Sequence, residues 1–398
     1  MKSFFTTLLE SLKKILPGNW QQIVGWAVLT AAVWLASNLG FKTDYKPPFP
    51  VPVFDEDLGW VPMPDEVDKV ARDQPFYSFD LTPAGQIKDD LPRFVYLWQA
   101  YKKIHGVNPP SENQNPVGSC VAFGTCLAVE RTMQVQIAFE GRAEEFKPLS
   151  REVVYAGSRV EVGKGKIRGD GSVGAWAAQF VKYWGVISRE VHGKYDLTKY
   201  EPARCRSWGN SGVPNDLEPL AKEHPVQEIT LVKTWDQAKK ALAQGYGIAV
   251  CSSQGFEGNR DGRGIKKPRG SWAHCMAIDG YHIDTDGKEY AHIENSWGEK
   301  PGEGPVGWGD PPTSGFWIEA SVCTRMIEAR DCWAFSAVKG FPAKNIDWFV
   351  DAGPRVPRSL YAQLMNPVLD RAPPQGANYA LDSLFGLPRQ PGLAGLGR

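Results

Sequence analysis

Apolar residues run almost unbroken through the first turns of Val121 to Phe139, the pattern of a helix buried on every side, and Gly141 is placed to end it. A second helix is expected over Val173 to Tyr183, where Trp176, Phe180 and Val181 share a face and Gly185 stops the run. Thr234 followed by Gln237 forms a capping box that opens a third helix reaching about Ala243. Beyond it the period falls to that of strands: Gly247 to Cys251, Cys275 to Tyr281, Glu289 to Glu294, Gly315 to Glu319 and Cys332 to Val338. Helices first and strands later predict an α+β fold with a helical lobe and a sheet lobe.

The patterned stretch, residues 91–340, lies between segments of different character. No charged residue falls between Ile15 and Phe41, and Ile23 to Phe41 is apolar over roughly the 20 residues that a bilayer requires. Residues 1–45 are therefore expected to hold an amphipathic stretch and a transmembrane anchor, with membrane association through residues 20–41 and Trp20, Trp26 and Trp34 in or beside it. A helix buried against a partner protein is the alternative. Lys2, Lys13 and Lys14 outweigh Glu10 on the N-terminal flank, which points to a cytoplasmic N-terminus and an external main domain. Residues 46–90 open on a proline-rich spacer, Lys46 to Phe54, and read as an extended stalk or as a prosegment wrapped on the domain. Residues 341–398 end in a run rich in Pro and Gly from Asn366 onward, a flexible tail or a docking peptide for a protein partner.

Composition narrows the function classes. With 42% hydrophobic, 12% aromatic and 23% charged residues the chain has a globular profile. Lys plus Arg and Asp plus Glu each number 45, so no global field draws in nucleic acid, and no nucleic-acid partner is expected. The 7 cysteines show neither a CxxC pair nor a Cys/His cluster at zinc spacing, so no metal site and no cofactor is expected. Composition leaves open whether the cysteines other than one nucleophile pair with each other.

Three short motifs carry chemistry. Gln114 to Cys120 is a polar loop with Pro116 and Gly118 that delivers a cysteine to the first turn of the long apolar helix. There the positive end of the helix dipole favours thiolate, and unpaired backbone N–H groups can receive an oxyanion formed at that sulfur, with the Gln114 amide as second donor. His274 starts an apolar strand rather than sitting in its middle. Asn295 ends the next strand and is followed by Ser296 and Trp297, an aromatic able to shield the amide from water. An asparagine carbonyl that accepts one imidazole N–H fixes the tautomer whose other nitrogen takes a thiol proton. Taken singly, Cys120 reads equally well as a small buried hydrophobe and His274 as a structural histidine; together the three have one joint explanation.

These residues resemble the papain family of cysteine peptidases. Asn113 with Gln114, Gly118 to Cys120, Ala122 with Phe123, His274, Asn295 to Gly298 and Gly307 to Gly309 match the family's motifs in its order, and Gln114 precedes Cys120 by 6 positions as it does there. Trp176 to Gly185 looks like the family's left-lobe helix, and Gly315 to Ile318 like its last core strand. The resemblance implies a papain-like two-lobed fold, with a helical left lobe, a β-barrel-like right lobe and the active-site cleft between them. It further implies a cysteine endopeptidase that acts on peptide or protein substrates through a thioester. In that reading Cys120 is the nucleophile, His274 its base, Asn295 the group that orients the base and Gln114 the completion of the oxyanion hole. Ser172, Val173, Trp297 and Trp308 would border the substrate.

The sequence also departs from the family. Val121 replaces the usual Trp after the nucleophile, and Val117 and Asp170 stand where the family commonly has a bridged cysteine pair, which implies that this bridge is absent. Ser172 and Val173 replace a Gly-Gly pair that lets substrate backbone approach, so the family's binding register is not implied at that point. The stretch from Asn295 to Gly307 exceeds that of the family's shortest members and implies a loop rimming the cleft. Asp331 to Val338 imitates the nucleophile segment, but Cys332 follows both His274 and Asn295, lacks Gly-Ser before it and alternates like a strand. A papain-like fold kept as a non-catalytic assembly module, in a virion or membrane complex, is the alternative function, and a transferase using the same acyl-enzyme a further one.

Overall fold

The computed structural model describes residues 59–88, 91–140, 145–344, 346 and 348. The expected membrane segment, the spacer as far as residue 58, Gly141 and the tail from Asn366 lie outside the described residues. No helix among the described residues is long and apolar enough to cross a membrane. The helices are α1 Pro64–Arg72, α2 Trp98–His105, α3 Cys120–Glu140, α4 Arg151–Gly157, α5 Gly174–Tyr183, α6 Pro202–Ser211, α7 Glu218–Lys222, α8 Trp235–Ala243 and α9 Ala320–Ile327. The strands are β1 Phe94–Tyr96, β2 Val191–His192, β3 Tyr195–Asp196, β4 Glu228–Leu231, β5 Ile248–Phe256, β6 Pro268–Ile283, β7 Glu289–Glu294, β8 Phe316–Glu319 and β9 Asp331–Ser336.

Helix α3 is the apolar element that the patterning predicts, and it begins on Cys120 itself. Every residue from Cys120 to Thr132 is buried. On one side lies a core built with α4 and α5 (Val153, Trp176, Phe180), and on the other the core of the sheet (Ile248, Ile278, Ile293). Helix α8 starts as its capping box requires, with Thr234 Oγ1 accepting from the Gln237 N–H at 3.2 Å. The Gln237 side chain does not return to Thr234; its Oε1 accepts from the Lys233 N–H at 2.7 Å, one residue farther out.

The main sheet is antiparallel in the order β4-β9-β5-β6-β7-β8, with β1 added to β6. Strand β6 is 16 residues long. Patterning marks only Cys275 to Tyr281 of it, because Pro268 to Ser271 is polar, contains a Gly and alternates with nothing. Its register sets Ser252 opposite His274 and Ala277 opposite Glu294. His274 thus falls inside β6 rather than at its start, and the pairing brings it beside Asn295, which follows the last residue of β7.

Of the spacer 46–90, residues 59–88 lie packed on the domain. Helix α1 opens with Pro64, Asp65 and Glu66 and closes with Lys69 and Arg72, charges that suit both ends of the helix dipole. It packs Val67, Val70 and Ala71 toward α5. At the other end, packing continues past the expected boundary at 340. Phe341 and Trp348 are buried in the sheet-side core, and the Trp348 indole donates to Ala243 O at 3.0 Å.

One fully buried charge cluster ties α3 to the sheet. The Arg131 guanidinium donates from Nε to Asp279 on β6 at 3.0 Å and from Nη2 to Glu294 on β7, and Asp279 also holds His292 Nδ1 at 2.6 Å. Removing the cation would leave two carboxylates in an apolar interior. Arg131→Met is therefore expected to lower the unfolding free energy by about 3–5 kcal/mol in urea denaturation. Lys194→Met, which breaks the exposed pair with Asp216, should leave the midpoint unchanged.

Candidate active site

Cys120 occupies the first turn of α3, where the N–H groups have no intrahelical partner. The loop before it is tightly wound: Asn115 adopts φ 54° and the Ser119 N–H donates to Val117 O at 2.6 Å. Where the family pattern would place a disulfide, a carboxylate does the holding. Asp170 Oδ2 accepts from the Gly118 N–H at 3.2 Å and from Arg206 Nη2 at 2.8 Å, and Arg206 also donates to Pro116 O. Burial works against the charge on Asp170, but Arg206 and Gly118 together hold its carboxyl below the usual range. All 7 cysteines are free thiols.

His274 and Asn295 meet across the β6–β7 pair. Asn295 Oδ1 stands 2.8 Å from His274 Nε2, and since a carbonyl can only accept, Nε2 carries the proton and Nδ1 is left as the acceptor. Nδ1 is buried and has no hydrogen-bond partner. The Trp297 ring lies 4.7 Å from the imidazole and covers that pair. Gln114 is fixed from both ends of its amide, Nε2 donating to Val117 O at 3.0 Å and Oε1 accepting from Ser296 Oγ at 2.7 Å. Ser296 and Tyr200, whose hydroxyl donates to Gln114 O at 3.0 Å, are supporting residues that no motif singles out. The loop after Asn295 is pinned by the Arg260 guanidinium, which donates to the carbonyls of Lys300, Gly304, Thr313 and Gly315.

Residues 59–61 lie in the cleft above this set. The Gly59 N–H donates to Cys120 Sγ at 3.3 Å. Ser172 N–H donates to Gly59 O and Val61 N–H to Ser172 O, both at 2.8 Å, a parallel bridge centred on Trp60 and Ser172. On the other side the Trp60 N–H donates to Ala273 O at 2.9 Å, one residue before His274. The segment is thus paired with both walls, as an added strand would be. Its passage depends on missing side chains: a Cβ on Gly59 would lie 1.8 Å from Gly118 O, and one on Gly171, whose φ is +110°, would lie 3.1 Å from Gly59 O.

These contacts place the remaining candidates. Ser172 turns its hydroxyl inward to Ser158 Oγ at 2.8 Å and offers only backbone to the cleft, while Val173 is buried in the helical-side core. The glycine that permits close approach is Gly171, one position before the Ser172 and Val173 pair. Trp308 is not brought to this group; it stacks on His282 at 4.4 Å and tilts against Tyr290, and His282 lies 8 residues along β6 from His274, roughly 26 Å of strand. Cys332 is buried in β9 opposite Val250. Its neighbour Asp331 does reach the cleft, accepting from the Trp60 indole at 2.9 Å, and the nucleophile-like look of Cys332 draws the eye past it.

The papain family cysteine protease model matches residues 98–311, more than half of the chain, and the chain belongs to that family. Its fold is the family's α+β arrangement of helical and sheet lobes. Among curated proteins, the cysteine endopeptidase RepA of Oryza sativa subsp. japonica is 29% identical over 222 residues, 55% of this chain and 52% of that protein. Fruit bromelain of Ananas comosus is 24% identical over 238 residues, 58% of this chain and 57% of that protein. The chain thus spans little more than half the length of the curated relatives it matches. Among solved structures, xylellain from Xylella fastidiosa superposes with a TM-score of 0.42 at 16% identity, covering 74% of this chain and 96% of the other. Procathepsin L 3 of Tenebrio molitor gives 0.41 at 15% identity, covering 83% and 99%.

Electrically the covered site is neutral. Burial, with Cys275 as a close neighbour, pushes the Cys120 thiol far above its usual range, and burial pulls His274 down to about 4 against the opposing bond to Asn295. Burial thus favours the neutral thiol and imidazole over a thiolate-imidazolium pair in this arrangement. Carboxymethylation of Cys120 by iodoacetate at pH 6, followed by mass spectrometry, should therefore be at least about tenfold slower in the intact chain than after limited proteolysis ahead of residue 91, because the covered thiol is protonated and out of reach. Equal rates in the two forms would mean that the thiolate is already formed and open to reagent in the intact chain.

Proposed function

We propose that this chain is a cysteine endopeptidase whose site is assembled but covered by residues 59–61. The observation that carries this reading is the 2.8 Å bond from His274 to Asn295, which leaves the buried Nδ1 as the nitrogen able to accept a thiol proton. Once the segment leaves, water and substrate restore polarity to the site, and His274 can take the Cys120 proton. The thiolate then attacks a peptide carbonyl, and the oxyanion lies between the Cys120 N–H and the Gln114 amide. His274 returns the proton to the leaving amine, then deprotonates a water that hydrolyses the thioester and regenerates the thiol. Residues ahead of the domain act in this reading as a prosegment, and the apolar stretch 20–41 attaches the enzyme to a bilayer.

The same occluded, neutral site also favours a second reading, a fold retained for assembly in which residues 59–61 never leave. Labelling with a thiol-directed epoxide and incubation with a peptide library, before and after limited proteolysis of the region ahead of residue 91, separate the two. The peptidase reading expects both activities after proteolysis, their loss in Cys120→Ala, and no effect of Cys332→Ala. Hydrolysis that persists in Cys120→Ala would remove Cys120 as nucleophile, and no hydrolysis by any form would favour the assembly reading.

A further inference from the structure

Three of the 7 cysteines converge under the nucleophile. Cys251 on β5 and Cys275 on β6 are opposed residues of one antiparallel pair, so their side chains leave the same face of the sheet and join Cys120 in the core built with α4 and α5. Opposed residues of such a pair have Cα atoms about 4.5–5.5 Å apart, inside the span that a disulfide bridges. The two thiols are hydrogen-bonding neighbours. Toward the helix, the Cys275 sulfur rests against Gly124, one turn along α3 from Cys120, where an added Cβ would lie 2.8 Å from it. The Cys275 N–H lies against the Cys120 sulfur. Cys275 is thus the middle member, with the nucleophile on one side and Cys251 on the other. Cys323 and Cys332 belong to the core on the other face of the sheet.

We propose that Cys120, Cys275 and Cys251 form a thiol relay that reduces a hydroperoxide and returns the nucleophile to its thiol. It rests on the departure of residues 59–61, which the peptidase reading also requires, and not on peptide hydrolysis. With the segment gone, the Cys120 thiolate attacks the O–O bond and keeps one oxygen as a sulfenic acid. The other oxygen leaves as an alcohol or water, taking the proton that His274 removed from the thiol. The Cys275 thiol then displaces the sulfenic hydroxyl as water and forms a Cys120–Cys275 disulfide. Cys251 attacks Cys275 Sγ, and its proton passes to the departing Cys120 thiolate. In sum, one hydroperoxide and two thiols give an alcohol, a water and a Cys251–Cys275 disulfide. Exchange runs toward that product because the helix dipole favours the Cys120 thiolate as leaving group. Burial holds the Cys251 thiol above its usual range, which makes the exchange the slow step.

The test treats the full chain, before and after limited proteolysis ahead of residue 91, with one equivalent of hydrogen peroxide near neutral pH and maps the products by mass spectrometry without reduction. In the cleaved chain a Cys120–Cys275 link should appear first and give way to a Cys251–Cys275 link, both reversed by dithiothreitol. The intact chain should react at least about tenfold more slowly, because its nucleophile is covered. Cys251→Ala should stop at the Cys120–Cys275 link. Cys275→Ala should form neither link and accumulate Cys120 sulfenic acid, trapped by dimedone, and then sulfinic acid. Sulfinic acid that forms on Cys120 as fast in the parent as in Cys275→Ala overturns the relay, and so does a Cys251–Cys275 link that forms at the parent rate in Cys120→Ala. If a variant does not fold, the parent decides alone: no link among the three cysteines in either form overturns the proposal. Links that form in a chain unable to hydrolyse any peptide would uphold the relay while the peptidase reading fails.

Discussion

One buried guanidinium sets the distances on which the site depends. Arg131 lies on the same helix that begins with Cys120, and its two carboxylate partners lie on the strands that carry the other site residues. Asp279 is on β6 beyond His274, and Glu294 is the residue immediately before Asn295. A helix and two strands sliding over an apolar interface have no preferred offset within a fraction of a turn. Directional bonds to a planar, always charged group supply that offset. Burying the Arg131 and Asp279 charges is unfavourable unless they are paired, so alternative offsets are disfavoured strongly.

Much of this was legible in the sequence, and for physical reasons. Helix α3 could be read because burial on every side leaves its first turns almost wholly apolar, and α8 because a capping box is a local device. Cys120 and Asn295 could be read because each sits where an element starts or ends, and His274 because the apolar part of β6 begins just after it. Residues that act through distant partners could not. Nothing near Arg131, Glu130 or Asp279 in the chain says that these charges are interior, since their partners come from other elements. Helix α1 has an apolar face too narrow to stand out from the loops around it. Strand β6 is more than twice the predicted length because its outer part is held by backbone pairing, which leaves no alternation in the side chains.

The cleft shows the same division. The missing Gly-Gly pair at Ser172 and Val173 looks like a loss in one dimension, yet in space Gly171 provides the clearance and the Ser172 backbone provides the pairing edge. Asp331 is conspicuous in three dimensions and ordinary in one, a lone acid heading a hydrophobic strand. Gly59 is the extreme case: a single glycine in a Pro-rich region signals a loop, and only the packing shows a chain crossing another at a distance that admits no side chain.

The clasp of Asp170 on Gly118 and Arg206 has a consequence for the conditions under which this protein can exist. A thiol nucleophile has to stay reduced to react, but a fold whose nucleophile loop is braced by a disulfide needs an oxidant to mature. Here the brace is a carboxylate that is in place at any pH above the low carboxyl range. In the peptidase reading, reductant would keep the Cys120 thiol free without loosening the loop that holds it, so maturation and activity would make no opposing demands on redox potential.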